Sequence, residues 1–445
     1  MVSNTKDISR SIFLTLCVMG FFAILSSTMS KNPVLSPFAT SLGTPADMTG
    51  FVAAASTIPG ILVSLPVASL SDIYGRKKFL IMSCAIFATA PFLYLLITVW
   101  WQLILVRFYH GFATAIFVPV AEASLAELFP TQRAERISVF TSATYVGRGI
   151  APFLGGYLLF LSATPSDPLF NYHLLYAAVG AVGLVAFILS LVFLSGRKQS
   201  MISVHERPTK LRQLYSGWGI LVKNRSVVMV SFVQAVLYYS YGTVEYFISG
   251  YLKDTLHFDF FSTALVSGGL IALAIFARPY MGRVSDRAGR RKPIIFGLLV
   301  SAVPLLAIPF SSSLPMLLLL ALVYSFGFAS VNASTPALMC ELAPKQFVGT
   351  SMGFLDTVMD IGQTLGPIAS GFILSSVFQY VGLFWTLSII LIVTALFFVV
   401  SGTGKVKEKC DSTLNKSERG STTMVDNDQN TASSQNLKVI PLFDN

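Results

Sequence analysis

Eight ionisable side chains stand inside long apolar runs of this 445-residue chain: Lys31, Arg107, Glu122, Arg148, Glu245, Arg278, Asp356 and Asp360. Charge among apolar neighbours is costly, so each marks a partner, a watery cavity or a function. The carboxylates can bind and release protons, and the bases can hold a carboxylate or an anion. Asp356 and Asp360 are four residues apart and would share a helix face. Two close carboxylates separate in proton affinity, which suits proton carriage; the alternative is that they answer nearby bases. Arg148 is expected about 12 residues into its helix, roughly 18 Å deep by helical rise. It is too deep to snorkel and needs an acid, a carbonyl or an anionic ligand, with Glu122 one candidate. Lys31 precedes Asp72 by 41 residues, and Glu245 precedes Asp286 by the same 41. That equivalence predicts a Lys31–Glu245 salt bridge closing one mouth of a cavity, against separate partners for each. Arg107 either faces a cavity or snorkels outward. Arg278 is expected near the inner end of its helix, within snorkelling reach.

The elements that must position these groups are membrane helices. Hydrophobic residues make up 54% of the chain and charged ones 12%, with mean hydropathy +0.69. A soluble domain carries about 25% charged residues. Apolar runs reach the roughly 20 residues that a spanning helix needs. Twelve spans are expected, numbered in order: 11–41, 45–71, 77–98, 102–127, 134–160, 172–195, 227–255, 259–283, 293–311, 315–342, 349–376 and 381–401. The net charge of +10 does not indicate nucleic acid. With both termini inside, most of the 31 basic residues fall in inner loops and tails, as the positive-inside rule requires. Cys17, Cys84, Cys340 and Cys410 show no paired or metal-like spacing, so neither a disulfide nor a metal site is expected. The first apolar run is too long for a signal peptide and should remain as span 1.

The chain divides and repeats. Residues 1–195 form an N-terminal six-helix bundle, 196–226 a polar, basic central loop, and 227–401 a C-terminal six-helix bundle. Residues 402–445 are a Ser/Thr/Asn/Asp/Lys-rich tail with too little apolar content to fold alone. Shifted by 214, Asp72 falls on Asp286, Gly75 on Gly289, Arg76 on Arg290 and Glu127 on Glu341. Shifted by 215, Pro152 falls on Pro367 and Gly156 on Gly371. The fold class is therefore all-α: twelve transmembrane helices in two pseudo-symmetric bundles. Two parallel repeats of this kind suit a transporter with a midplane site.

The repeated knot, SDIYGRK and SDRAGRR, has its own chemistry. Gly75 and Gly289 permit a tight turn, with positive φ open to them. Asp72 and Asp286 can pair with nearby bases or with the positive end of another helix. Arg76, Lys77, Arg290 and Arg291 can hold the loop inside, touching lipid phosphate. The knot resembles the 2–3 loop motif of the major facilitator superfamily, G-x-x-x-D-x-x-G-R-K/R, and the resemblance runs over residues 10–402. The first copy departs from the motif at Ala68; the second, from Gly282, fits throughout. The resemblance implies that Asp72 closes the inner side against the start of span 11, near Gly349, Thr350 and Ser351. Arg107 and Gly111 resemble the family's R-x-x-x-G motif, which implies a place near proton coupling. GRGIAPFLGG resembles the antiporter motif through Gly147, Pro152, Gly155 and Gly156, with Ala151 and Arg148 as departures. GQTLGPIASG repeats the pattern in span 11 through Gly362, Gly366 and Pro367.

Tyr239, Tyr241, Tyr246 and Asn32 are candidates to line a cavity for an amphipathic substrate, with packing against neighbouring helices the equal alternative for the tyrosines. The expectation is a secondary active transporter working by alternating access, proton-coupled and exporting small molecules. An uptake symporter for a small polar or anionic solute is the first alternative, and a non-transporting receptor on the same fold is another. No nucleotide loop, metal cluster or nucleophile motif points to an enzyme. No cofactor is expected beyond the proton gradient. The expected partners are a small-molecule substrate and membrane lipid, the expected location is the plasma membrane, and the expected state is monomeric.

Overall fold

The computed structural model describes residues 2–129, 132–162, 168–194, 221–343 and 348–403, and these are almost wholly helical, with no strand among them. Twelve helical stretches follow the twelve expected spans. Span 1 is Val2–Met29 followed, after a turn, by Leu35–Ser41; span 2 is Ala46–Ala54 followed by Ile58–Tyr74. Spans 3 to 6 are Arg76–Leu93, Trp100–Leu128, Arg133–Leu161 and Pro168–Leu189. Spans 7 to 12 are Arg225–Gly250, Phe260–Ala288, Arg291–Ala307, Leu314–Leu342, Val348–Leu374 and Gln379–Ser401. Ten of the twelve are long and apolar enough to cross a membrane. Spans 5 and 11 have 29 and 27 helical residues and fall outside that set. They carry Arg148 and Asp356 with Asp360, so their polarity reflects what they present to the interior.

Local chemistry sets the helix ends. Asn224 accepts from the backbone N–H of Ser226 and Val227, and Asp259 from that of Ser262, capping spans 7 and 8. Gly402 closes span 12 in the left-handed conformation. Gly75 (φ +94°) and Gly289 (φ +82°) join spans 2 to 3 and 8 to 9 in backbone regions that side chains disfavour. Beyond each turn an arginine staples the loop to a neighbouring helix of its own half. Arg76 bonds Glu127 at 2.6 Å, and its repeat partner Arg290 bonds Glu341 at 3.1 Å and also Asp286. Arg291 donates to the Val399 carbonyl of span 12. We call this the basic end of the bundle and the opposite one the far end.

The apolar cores say how the halves meet. At the far end one continuous core includes Met29, Leu35, Phe38 and Tyr176 of the N-terminal half with Tyr241, Phe247 and Tyr251 of the other. Toward the basic end the N-terminal half keeps a core of its own around Leu16, Phe87, Phe117 and Phe140. The halves are thus fused at the far end and have separate cores toward the basic end. The side chain of Asp72, the central loop over 195–220, residues 344–347 and the tail from 404 lie outside the described residues. The contact expected between Asp72 and the start of span 11 lies there too.

Candidate functional site

The far layer of the site is a charge cluster across the two halves. The break after Met29 puts Lys31 and Asn32 on the cavity wall, opposite the unbroken helix of span 7. Lys31 Nζ lies 3.5 Å from Glu245 Oε2, and Asn32 Nδ2 donates to Glu245 Oε1 at 3.0 Å. Tyr241 OH donates to the same Oε1 at 3.4 Å. One carboxylate therefore gathers three donors, two of them from the other half of the molecule. Lys31, Asn32, Thr57, Glu245, Tyr246 and Gln363 line a narrow cleft between the halves.

Arg107 lines the same cleft, but it neither snorkels nor pairs with an acid. The residue is 1% exposed, and its guanidinium donates to the carbonyls of Val52 and Ala53, both at 3.3 Å, and to Ser56 Oγ at 2.5 Å. Span 2 breaks at residues 55–57, which strips those carbonyls of their intrahelical donors. Arg107 supplies the missing donors. Gly111, one turn on, lets the Ser56 backbone come close: a Cβ there would stand 2.3 Å from the Ser56 carbonyl oxygen. The two residues of the R-x-x-x-G motif thus hold one helix break.

At mid-depth the halves touch between spans 2 and 11. Thr57 Oγ1 and Thr364 Oγ1 are 2.6 Å apart. Asp360, one turn from Thr364, is half-buried against the backbone of Gly60; a Cβ on Gly60 would lie 2.6 Å from Asp360 Oδ2. Asp360 makes no ion pair with any described base. Asp356, one turn nearer the basic end, is exposed, and Glu122 lies within its electrostatic reach from the other half.

Arg148 does not pair with Glu122, because Glu122 stands too far toward the basic end of span 4. Its guanidinium lies 5.7 Å from the Tyr145 ring centre. Arg148 lines a second narrow cleft with Tyr145, Tyr238, Tyr241, Phe328 and Asn332. Arg278 was expected to snorkel from a helix ending at 283, but the helix runs on to Ala288. Arg278 is therefore well inside it and donates to Tyr145 OH across the halves. Of the tyrosine candidates, Tyr246 lines the first cleft and Tyr241 the second, whereas Tyr239 lines neither. Each residue turns a helix by about 100°, so Tyr238 and Tyr241 share a face that Tyr239 leaves.

The glycine motifs set the closest approaches. Gly147 packs on the Phe21 carbonyl and Gly155 near that of Asn32, both in span 5's own half. Gly362 and Gly366, both ahead of Pro367, do the same with the carbonyls of Ala235 and Tyr239. Their repeat-related neighbours cross the halves. A Cβ on Gly156 would stand 2.1 Å from the Ala264 Cβ of span 8, and one on Gly371 3.0 Å from the Asp47 carbonyl of span 2. Gly50 meets the Pro367 carbonyl, 2.1 Å from where its Cβ would be. Gly50→Val is therefore expected to prevent the far end from closing. In a background without native cysteines, Leu35→Cys should then react at least about tenfold faster with an impermeant thiol reagent. An unchanged rate would remove span 2 from the closing contact.

Sequence reasoning missed Glu127 and Glu341 as the partners of Arg76 and Arg290. The signal was present, since all four obey the 214-residue shift. Tyr145 was missed too, though it stands one helical turn before Arg148. Thr57, Gly60 and Ser56 had no signal, because it is the break in span 2 that turns them inward.

Twelve helical stretches in two repeat-related halves, with charged residues and two clefts between them, are the architecture of a membrane transporter. The chain belongs to the major facilitator superfamily: the profile of that family matches residues 16–279 and 230–431. Among its relatives is an uncharacterized transporter of this type from Methanocaldococcus jannaschii, 24% identical, the match covering 83% of this chain and 91% of that one. The multi-drug resistance efflux pump PmrA homolog of Lactococcus lactis is 24% identical over 82% of this chain and 89% of its own. The quinolone resistance protein NorA of Staphylococcus aureus is 22% identical over 76% and 84%. The fold matches a bacterial homolog of the human lysosomal transporter Spinster, inward-facing and occupied, with TM-score 0.73, 17% identity and 89% and 97% coverage. It also matches the nucleoside transporter NupG, with TM-score 0.70, 13% identity and 87% and 98% coverage.

Proposed function

We propose that this transporter is a proton-coupled exporter of small amphipathic molecules, with its basic end and both termini on the cytoplasmic side of the cell membrane. The observation that carries the reading is Asp360: a carboxylate without a basic partner, set where span 11 touches Gly60 of the other half. A charge buried there unpaired is costly, and a protonated carboxyl is not. Asp360 therefore takes a proton when the halves close over it and gives it up when the cleft opens to the side of lower proton activity. Glu122 and Asp356 extend the acidic path toward the basic end. The Lys31–Glu245 pair and the Gly50, Gly156 and Gly371 crossings shut the far side in this state. The efflux-pump relatives and the span 5 motif support the outward direction. The inner gate is assigned to the Asp72 knot, with Asp72→Asn its first variant.

The test is counterflow in proteoliposomes with lipophilic cations, sugars and organic anions, with and without a pH gradient. Substrate moving one way is expected to drive protons the other. Movement in the same direction identifies a symporter, flux indifferent to the gradient a uniporter, and either result overturns the proposal.

A further inference from the structure

The second cleft holds a feature that proton exchange does not use. Arg148 of span 5 and Arg278 of span 8 come from opposite halves and converge on one ring, with guanidinium carbons 5.7 and 5.2 Å from the Tyr145 centroid. Neither forms an ion pair with a described acid. The acid within electrostatic reach of Arg148 is Glu245, which is already bonded to Lys31, Asn32 and Tyr241. Two like charges meeting at mid-membrane repel, and a guanidinium there calls for a counter-ion. The wall offers further recognition. Tyr241 stacks on Phe328 at 4.5 Å, and Tyr238 packs edge-on to Phe328 at 5.4 Å. The Asn332 amide oxygen accepts from both Gln234 and Tyr238, at 3.4 Å each, which turns its amide N–H groups to be donors. Among the described residues those N–H groups have no protein acceptor.

We infer that this cleft is a binding subsite for an aromatic carboxylate, with the carboxylate held by Arg148 and Asn332 and the ring laid on the Tyr238–Tyr241–Phe328 surface. Guanidinium is suited to the task because its planar fork meets a carboxylate with two parallel hydrogen bonds. The cleft's walls come from both halves, so a bound anion draws spans 5 and 8 together by screening the two arginines. The inference names the substrate class of the transporter proposed above and rests on that reading. It also accounts for Arg148 as the departure from the antiporter motif.

The test is equilibrium binding to the purified full-length chain in detergent, by isothermal titration at one pH and without a gradient. It therefore stands or falls independently of proton coupling. The probes are 1-naphthoate, its cationic counterpart 1-naphthylmethylammonium, neutral 1-naphthalenemethanol, and decanoate as a lipid-derived anion. Naphthoate is expected to bind at least about tenfold tighter than each of the other three. Arg148→Gln should remove that preference while the neutral probe binds as before. If Arg148→Gln does not fold, the charge series on the unaltered protein still decides. Equal binding of the ammonium probe, tighter binding of decanoate, no binding of naphthoate, or a preference unchanged in Arg148→Gln overturns the assignment.

Discussion

Glu245→Gln is expected to destabilise the far-end-closed state by about 2–3 kcal/mol, a loss on the order of a hundredfold in its population. Three donors converge on this carboxylate, from Lys31, Asn32 and Tyr241. Arg107 and Arg148 both stand close enough to Lys31 to repel it once the negative charge is gone. Breaking a fully buried pair costs about 3–5 kcal/mol. The lower figure applies because Lys31 keeps 24% of its side chain exposed. Spin labels at Ser41 and Phe261, on opposite halves, should show the distance between far ends shifting to longer values. The charge-swapped Lys31→Glu/Glu245→Lys protein is expected to recover part of the closed population. Recovery stays partial because the new lysine would face Arg148. If the swap is no better than either single variant, the bridge is not what closes the far end.

Asp360→Asn is expected to abolish pH-gradient-driven accumulation while exchange of substrate for substrate persists. Asparagine has the size of the protonated acid and cannot ionise, so the halves can still close around it. The proton cycle is then removed without removing the conformational one. Asp356→Asn should have the smaller effect, because Asp356 is exposed and its charge stays solvated in this state. Gradient-driven uptake measured in everted vesicles decides this. Accumulation surviving in Asp360→Asn would exclude Asp360 as the carrier and leave Glu122 and Asp356.

Much of this was legible in the chain because helix periodicity and a fixed repeat offset are one-dimensional facts. The 41-residue spacing that equates Lys31 with Glu245 requires no structure, and neither does the pairing of Gly156 with Gly371. Helix breaks are different. Pro59 follows residues 55–57 at the start of a new helix, but Pro119 and Pro152 lie inside unbroken ones, so proline alone does not place the interruption. That interruption gives Arg107 its three acceptors and turns Thr57 and Gly60 toward span 11. A sequence reading that assumes unbroken spans therefore sends Arg107 to a cavity or to the outer surface, where the structure supplies carbonyls. The same limit misplaced Arg278, because apolar pattern alone ended its helix five residues early.

By itself, then, the sequence determined a duplicated, membrane-spanning, all-helical chain, the glycine turns at 75 and 289, and which charges lie within the spans. Hydropathy, backbone freedom and repeat spacing are properties of the chain alone. Only the tertiary structure decided which charge meets which. It joined Lys31 to Glu245, left Asp360 without a base against Gly60, and brought Arg148 and Arg278 to one tyrosine. Those outcomes depend on how the two halves cross, and a crossing is set by the shapes of both surfaces rather than by the order of residues in either.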